Sequence, residues 1–427
     1  MKTFHRFLSA LGTLATMTVA GDVGACAQES GAGVALICSK ALICELEGEQ
    51  LIDNAVLLMK DGKIEAIGPR SEITIPTGYE VQDLGSSWIA PGMVGLHCHV
   101  GTPNPFFPND INDSVYLTNP GLRASASTIA SNVALARAAR GGVTSVLFIP
   151  GSGTNMGGQG ILLKTGPGGY DRNLIRNPGS LKLAQAGNPE RWLFGPRRTF
   201  MNWNTRNTFK RGIAYAKRWE AFHAGDGAKP EHDPQLEIFE ELYEKRTQVS
   251  THTQIYQVVL MTVTMVRKEL GLDVYIDHGT FDGYRAAGAA QEAGVPAILG
   301  PRSITFFPRF IDTDGKIQGV AAGYQQAGHT RVGFNTDSPI VPQEELFLQA
   351  AVGVRYGFDN TNLDHVRGLT IIPATAAGIA HRVGSLETGK DADIVVVSGD
   401  PVDPRSTVQM VFVNGDPIPG TTRSARH

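Results

Sequence analysis

A chain of 427 residues, 42% hydrophobic and 19% charged, can bury a large core, which excludes disorder as its dominant state. The formal net charge is -3 and the sequence pI is near 6.4. No overall positive field exists to hold phosphate backbones or anionic lipid, so nucleic acid is excluded as the expected partner.

The first segment reads as an export leader. Lys2, His5 and Arg6 precede an apolar run from Phe7 to Ala20 that is too short to span a bilayer. Ala25-Cys26-Ala27 then offers a small-x-small cleavage site before Gln28, giving a signal peptide over residues 1–27 and a periplasmic or secreted location. The same residues carry a second reading, in which Val23-Gly24-Ala25-Cys26 is a lipobox and Cys26 a lipid anchor. Cys38, Cys44 and Cys98 remain after the leader, an odd set that does not form a disulfide framework.

Residues 28–90 show short β-rich runs, Ala35 to Cys38, Ala55 to Met59 and Ile64 to Ile67, with Asp61-Gly62 as a hairpin turn. Residues 381–427 are again β-rich, at Ala392 to Val397 and Val408 to Asn414. Either sheet would be marginal alone, so both ends are expected to fold together as one small β-sandwich. Between them, residues 91–380 alternate strand-like and helix-like runs. Thr144 to Ile149 follows Ala124 to Arg140, Gln248 to Thr251 follows Pro234 to Arg246, and Tyr275 to His278 follows Tyr256 to Leu270. Ala297 to Leu299 follows Tyr284 to Ala293, and Arg331 to Asn335 follows Ile317 to Ala327. Repeated βα units imply an α/β fold with a parallel sheet, closed as a (β/α)8 TIM barrel, with an open doubly wound sheet as the alternative.

The strongest local signal is Pro91-Gly92-Met93-Val94-Gly95-Leu96-His97-Cys98-His99, an apolar strand ending in His-x-His. Alternate strand residues share a face, so His97 and His99 can converge on one ion while Cys98 points away. His252, His278 and Asp337 each close a further strand-like run, where barrel enzymes gather their working groups. Neutral imidazoles and a carboxylate suit zinc or a similar divalent ion. His329 and His365 are read as surface or supporting residues. Gly151 to Gly160 is read as a loop over the barrel mouth, and Arg197, Arg198, Asn202 and Trp203 as loop residues that help select substrate.

With these residues in place, the chain resembles the amidohydrolase superfamily, in its imidazolonepropionase-like and dipeptidase-like branch. Pro91 to His99 is similar to the family's Pro-Gly-aliphatic-aliphatic-Asp-x-His-x-His, with Gly95 in place of the Asp. Val383 to Asp393 is similar to the family's return from barrel to β unit. The resemblance implies one or two divalent metals held by His97 and His99, by His252 and His278, and by Asp337. It also implies a carbamylated bridging lysine, either Lys182 or Lys164. The activity implied is hydrolysis of an amide, peptide or cyclic-amide bond in a small-molecule substrate, with Asp337 and His278 as catalytic groups. A deaminase or an ester or phosphoester hydrolase on the same barrel is the alternative. A non-catalytic binding protein would lack ligands that are present here, and a homo-oligomer is left open.

Overall fold

The computed structural model describes residues 32–101, 115–191, 195–301 and 319–421. The expected leader, with Cys26, lies outside the described residues.

The chain begins with β1 (Val34–Leu42), β2 (Leu51–Lys60), β3 (Lys63–Pro69), β4 (Glu80–Asp83) and β5 (Trp88–Pro91). It then runs through β6 (Met93–Cys98), β7 (Val143–Phe148), β8 (Met156–Lys164), β9 (Leu174–Ala184), β10 (Val249–Thr253), β11 (Val274–His278), β12 (Ala297–Leu299) and β13 (Val332–Phe334). It ends with β14 (Ile394–Val397), β15 (Val408–Val413) and β16 (Asp416–Pro417).

The first and last groups form one eight-stranded sheet, ordered β16-β15-β14-β5-β1-β2-β3, with β4 on β1. β14 pairs antiparallel with β5, Ile394 opposite Pro91, so the two ends of the chain share a sheet. That sheet branches at β1, whose Val34 to Ile37 pair with β4 and whose Lys40 and Ala41 pair with β5. Leu36, Leu57, Ile64, Ile89, Ile394 and Phe412 lie in one common core.

The middle group forms a second eight-stranded sheet, ordered β13 to β6. Its ends meet: Cys98 bridges Ser338, His99 N–H donates to the Ser338 carbonyl at 2.9 Å, and Val94 N–H to that of Leu369 at 2.8 Å. The result is a nearly closed barrel. Val94, Leu96, Leu147, Leu162, Tyr275 and Ile298 form an interior cluster. The Tyr275 hydroxyl donates to the Leu96 carbonyl at 3.0 Å, linking β11 to β6 across that interior.

The barrel departs from the expected all-parallel pattern at β8, which is antiparallel to both β7 and β9. The link from Ile149 to Asn155 is too short for a crossover helix, and a short link can only return the chain as a hairpin. The segment Gly151 to Gly160, expected as a loop, is therefore loop only as far as Asn155 and strand from Met156. Two expected helices are shorter than their periodicity indicates, Val133–Arg140 and Ile238–Tyr243. The run Tyr256 to Leu270 divides into an α-helix, Tyr256–Met261, and a π-helical stretch, Thr262–Glu269. Among the described residues the longest helix is Arg198–His223, with 26 residues, which the sequence pattern does not mark.

Candidate metal centre at the barrel mouth

His97 and His99 come to one side of β6 with the help of a bulge. Gly95 pairs with Val146 and Cys98 with Phe148, leaving one extra residue on β6. Leu96 and His97 both reach the interior, while Cys98 packs in the outer hydrophobic cluster. His252 is the penultimate residue of β10 and His278 the last of β11. Asp337 follows β13 in a left-handed conformation, φ 49, and His278 has φ 74. Non-glycine residues pay for such backbone strain, which collects at functional sites.

Two of the rings have their outer nitrogen hydrogen-bonded to a backbone carbonyl, and a third meets a carboxylate. His99 Nδ1 donates to the Ile149 carbonyl at 2.7 Å, and His278 Nδ1 to that of Gly300 at 2.7 Å. His97 Nδ1 lies 2.7 Å from Asp277 Oδ2. These contacts fix the tautomers and turn the Nε2 lone pairs inward. His97 Nε2 is then 2.9 Å from His99 Nε2 and 2.9 Å from Asp337 Oδ1, with His99 Nε2 at 3.5 Å from the same oxygen. Beside them, His278 Nε2 is 2.8 Å from His252 Nδ1, and Ser152 Oγ is also 2.8 Å from that nitrogen. Ligand atoms of His97, His278 and Asp337 all lie within 4.8 Å of one another. Electron-rich atoms aimed at one another in a buried place repel unless a cation lies among them, so the donor set fits a divalent ion.

Burial and charge act in opposition here. Burial alone would lift the Asp337 carboxyl, but the facing His97 and His99 rings hold it well below the usual carboxylate range. Burial likewise opposes ionisation of Asp277, and the charges of His97 and Lys182 outweigh it and hold that carboxyl low as well. Burial lowers His97, yet Asp277 and Asp337 more than offset it and the net shift is upward. Burial pushes His278 down to about 4, and drives His252 well below its ordinary value with help from the His278 charge. Both rings therefore offer neutral nitrogens at neutral pH.

Lys182 is fully buried on β9 with Nζ 3.4 Å from Asp277 Oδ2, and burial lowers its pKa. Lys164 is also buried, but its ammonium pairs with Asp393 at 2.5 Å and Asp391 at 3.2 Å, both in the C-terminal segment. The structure brings Lys182, and not Lys164, to the histidines. β8 runs backward, so the end that carries Lys164 lies at the opposite end of the barrel from the mouth.

His329 and His365 are buried rather than at the surface. His329 Nε2 donates to the Val295 carbonyl at 2.9 Å and His365 Nε2 pairs with Asp400 at 3.0 Å, away from the site. Asp277 and Ser152 are the residues the sequence pattern did not single out. Gly95 stands against Gln343, whose Nε2 would lie 2.2 Å from a Cβ there, and Gln343 Oε1 accepts from the Thr336 hydroxyl at 3.0 Å.

The structure thus gathers four imidazoles and a carboxylate, a donor set suited to a divalent ion, at the strand-end mouth of a nearly closed barrel. Comparison with known proteins shows what the chain is similar to. Residues 314–418 match the amidohydrolase family. The chain is 26% identical over 408 residues to "Amidohydrolase tasK" of Hapsidospora irregularis, covering 86% of this chain and 39% of that protein. It is 23% identical over 387 residues to an imidazolonepropionase of Sphingopyxis alaskensis, covering 86% of this chain and 92% of that one. A solved amidohydrolase from Thermotoga maritima MSB8 superposes with TM-score 0.79 at 27% identity, over 90% of this chain and 99% of that one. A prolidase solved with N-methylphosphonate-L-proline shares the fold, at TM-score 0.56 and 16% identity. The chain is similar to proteins named as amidohydrolases and imidazolonepropionases, and it spans 39% of the Hapsidospora protein's length.

Proposed function

We propose that this protein is a metal-dependent amidohydrolase cleaving a carbon-nitrogen bond of a small molecule, on a (β/α)8-type barrel carrying a sandwich-like β unit from both chain ends. One observation carries the reading: the His97, His99, His278 and Asp337 donor atoms face one another in a cluster whose histidines are buried and whose Asp337 is partly exposed.

His97, His99 and Asp337 would hold one divalent ion, zinc by its donor chemistry, and His252 with His278 a second. Bound there, a cation supplies Lewis-acid polarisation of a carbonyl and a more acidic water. The protein's own groups do the rest. Asp337, kept ionised by its histidine neighbours, accepts the proton of the attacking water and returns it to the leaving nitrogen. Asp277 orients His97, and the Gly300 carbonyl orients His278. Lys182 is the residue on which the expected carbamate would form. Export through the leader at residues 1–27 belongs to the same proposal.

The test is a chelator titration followed by metal readdition, with a panel of amides, esters and amino-heterocycles. Amide cleavage that falls on chelation and returns with metal supports the reading. Ammonia release from an amino-heterocycle, or ester cleavage alone, would replace it with the alternative chemistry. Full amide turnover in excess chelator, with no bound metal, would refute it.

A further inference from the structure

We infer that Gln343 is a positioning residue for the metal centre, holding Asp337 in place opposite His97 and His99 across the seam where β13 meets β6; this rests on the metal-dependent hydrolase reading of the same site. Gln343 is 1% exposed and its side chain reaches both edges of that seam. On one edge, Gln343 Oε1 accepts from the Thr336 hydroxyl at 3.0 Å, one residue before Asp337. On the other, Nε2 lies against Gly95, so close that a Cβ there would fall 2.2 Å from it. Gly95 is the last paired residue of β6 before the bulge that carries His97.

The chain from Thr336 to Gln343 closes on itself. Ile340 N–H donates to the Asp337 carbonyl at 2.8 Å, and Val341 N–H to that of Thr336 at 3.2 Å. Within the same loop the Ser338 carbonyl receives His99 N–H at 2.9 Å. The 3-10 turn Gln343–Glu345 is anchored in its own right, since Glu344 pairs with Arg137 on the helix Val133–Arg140. Asp337 has φ 49, a conformation that persists only where the surroundings hold it. The Thr336–Gln343 bond supplies such a hold at the adjoining residue.

A side chain present only to fill this space would be apolar. Gln343 Nε2 is instead buried without a hydrogen-bond partner among the described residues, which costs stability. A methionine would occupy a similar volume without that penalty. The amide is therefore explained by its other end, the oxygen that holds Thr336 beside Asp337.

The test reads the zinc affinity of the full chain by competition with a chromogenic chelator, beside thermal melts of the metal-free form and amide turnover. Gln343→Met and Thr336→Val nearly keep the shape and remove the bond from either side. Each should weaken zinc binding about 3- to 10-fold, the span of one neutral hydrogen bond. The double variant should bind no more weakly than the singles, because both remove the same bond. Thr336→Ser, which keeps the hydroxyl, should lie closer to wild type than Thr336→Val. Should one single variant fail to fold, the other reads the same bond. Lower melting temperatures with zinc affinity within twofold of wild type make Gln343 a packing residue and overturn the inference, as do losses that multiply in the double variant. The expected affinity losses in a protein that cleaves no amide keep the positioning role and reject the hydrolase reading. Amide turnover by the wild type, with variants that bind zinc as tightly as it does, keeps the hydrolase reading and rejects the inference.

Discussion

Replacing Asp277 by Asn keeps the shape of a buried side chain and removes its charge. Asp277 Oδ2 lies 2.7 Å from His97 Nδ1 and 3.4 Å from Lys182 Nζ, and its other oxygen accepts from Asn335 Nδ2 at 3.2 Å. An amide can still touch Asn335 and His97, but it cannot balance a charged neighbour. Outer partners of liganding histidines typically contribute 10- to 100-fold in metal affinity, about 1.4–2.7 kcal/mol. The Asp277→Asn protein should therefore bind zinc about 10- to 100-fold more weakly in competition with a chromogenic chelator at fixed pH. Its metal-free form should also melt lower, because Lys182 then sits buried without an anion, a situation that costs about 3–5 kcal/mol when a buried pair is broken. A zinc affinity within twofold of wild type would refute the claim that Asp277 orients a metal ligand.

Lys164→Met should lower the melting temperature through the loss of the Asp393 and Asp391 pairs while leaving metal stoichiometry unchanged, whereas Lys182→Met should alter metal stoichiometry. Thermal melts and metal analysis of the two variants check this together. Gly95→Asp, which restores the residue expected by family resemblance, should destabilise by about 1–3 kcal/mol because its Cβ would fall 2.2 Å from Gln343 Nε2. Adding Gln343→Ala should recover part of that loss in urea unfolding. Burial pushes the Cys38 thiol up to about 11 and Cys44 up to about 12, so both favour the neutral form in the folded chain. Their contribution to stability is complete below the unfolded thiol range and is lost as pH rises toward those folded values, so denaturant midpoints should fall on going from pH 8 to pH 11. Iodoacetamide at pH 8 should label neither cysteine until the chain unfolds, as read by mass spectrometry.

Much of the site could be read in the sequence because each histidine and Asp337 ends an apolar, β-branched run, and strand ends gather at one face of a barrel. Asp277 was hidden by the same logic. Strand alternation sets it opposite His278, but His278 has φ 74, which breaks the alternation and lets both side chains serve the site. Ser152 carried no signal, since its approach to His252 depends on a loop fold. The shared terminal sheet was legible from paired β-rich runs and turn residues. The reversal of β8 was not, because alternation of apolar residues is blind to strand direction. The helix Arg198–His223 escaped notice for a related reason: Phe200 and Trp203 stand exposed on its outer flank and blur the one-sided apolar pattern that marks a helix.

The central claim is that the facing imidazoles and Asp337 form a metal centre required for hydrolysis. Metal analysis of the purified protein beside a His97→Ala, His99→Ala variant tests it most directly, with amide turnover measured on the same samples. The account predicts bound divalent metal in the wild type and the loss of both metal and turnover in the variant. A folded variant that lacks metal and still hydrolyses amides at the wild-type rate would contradict it.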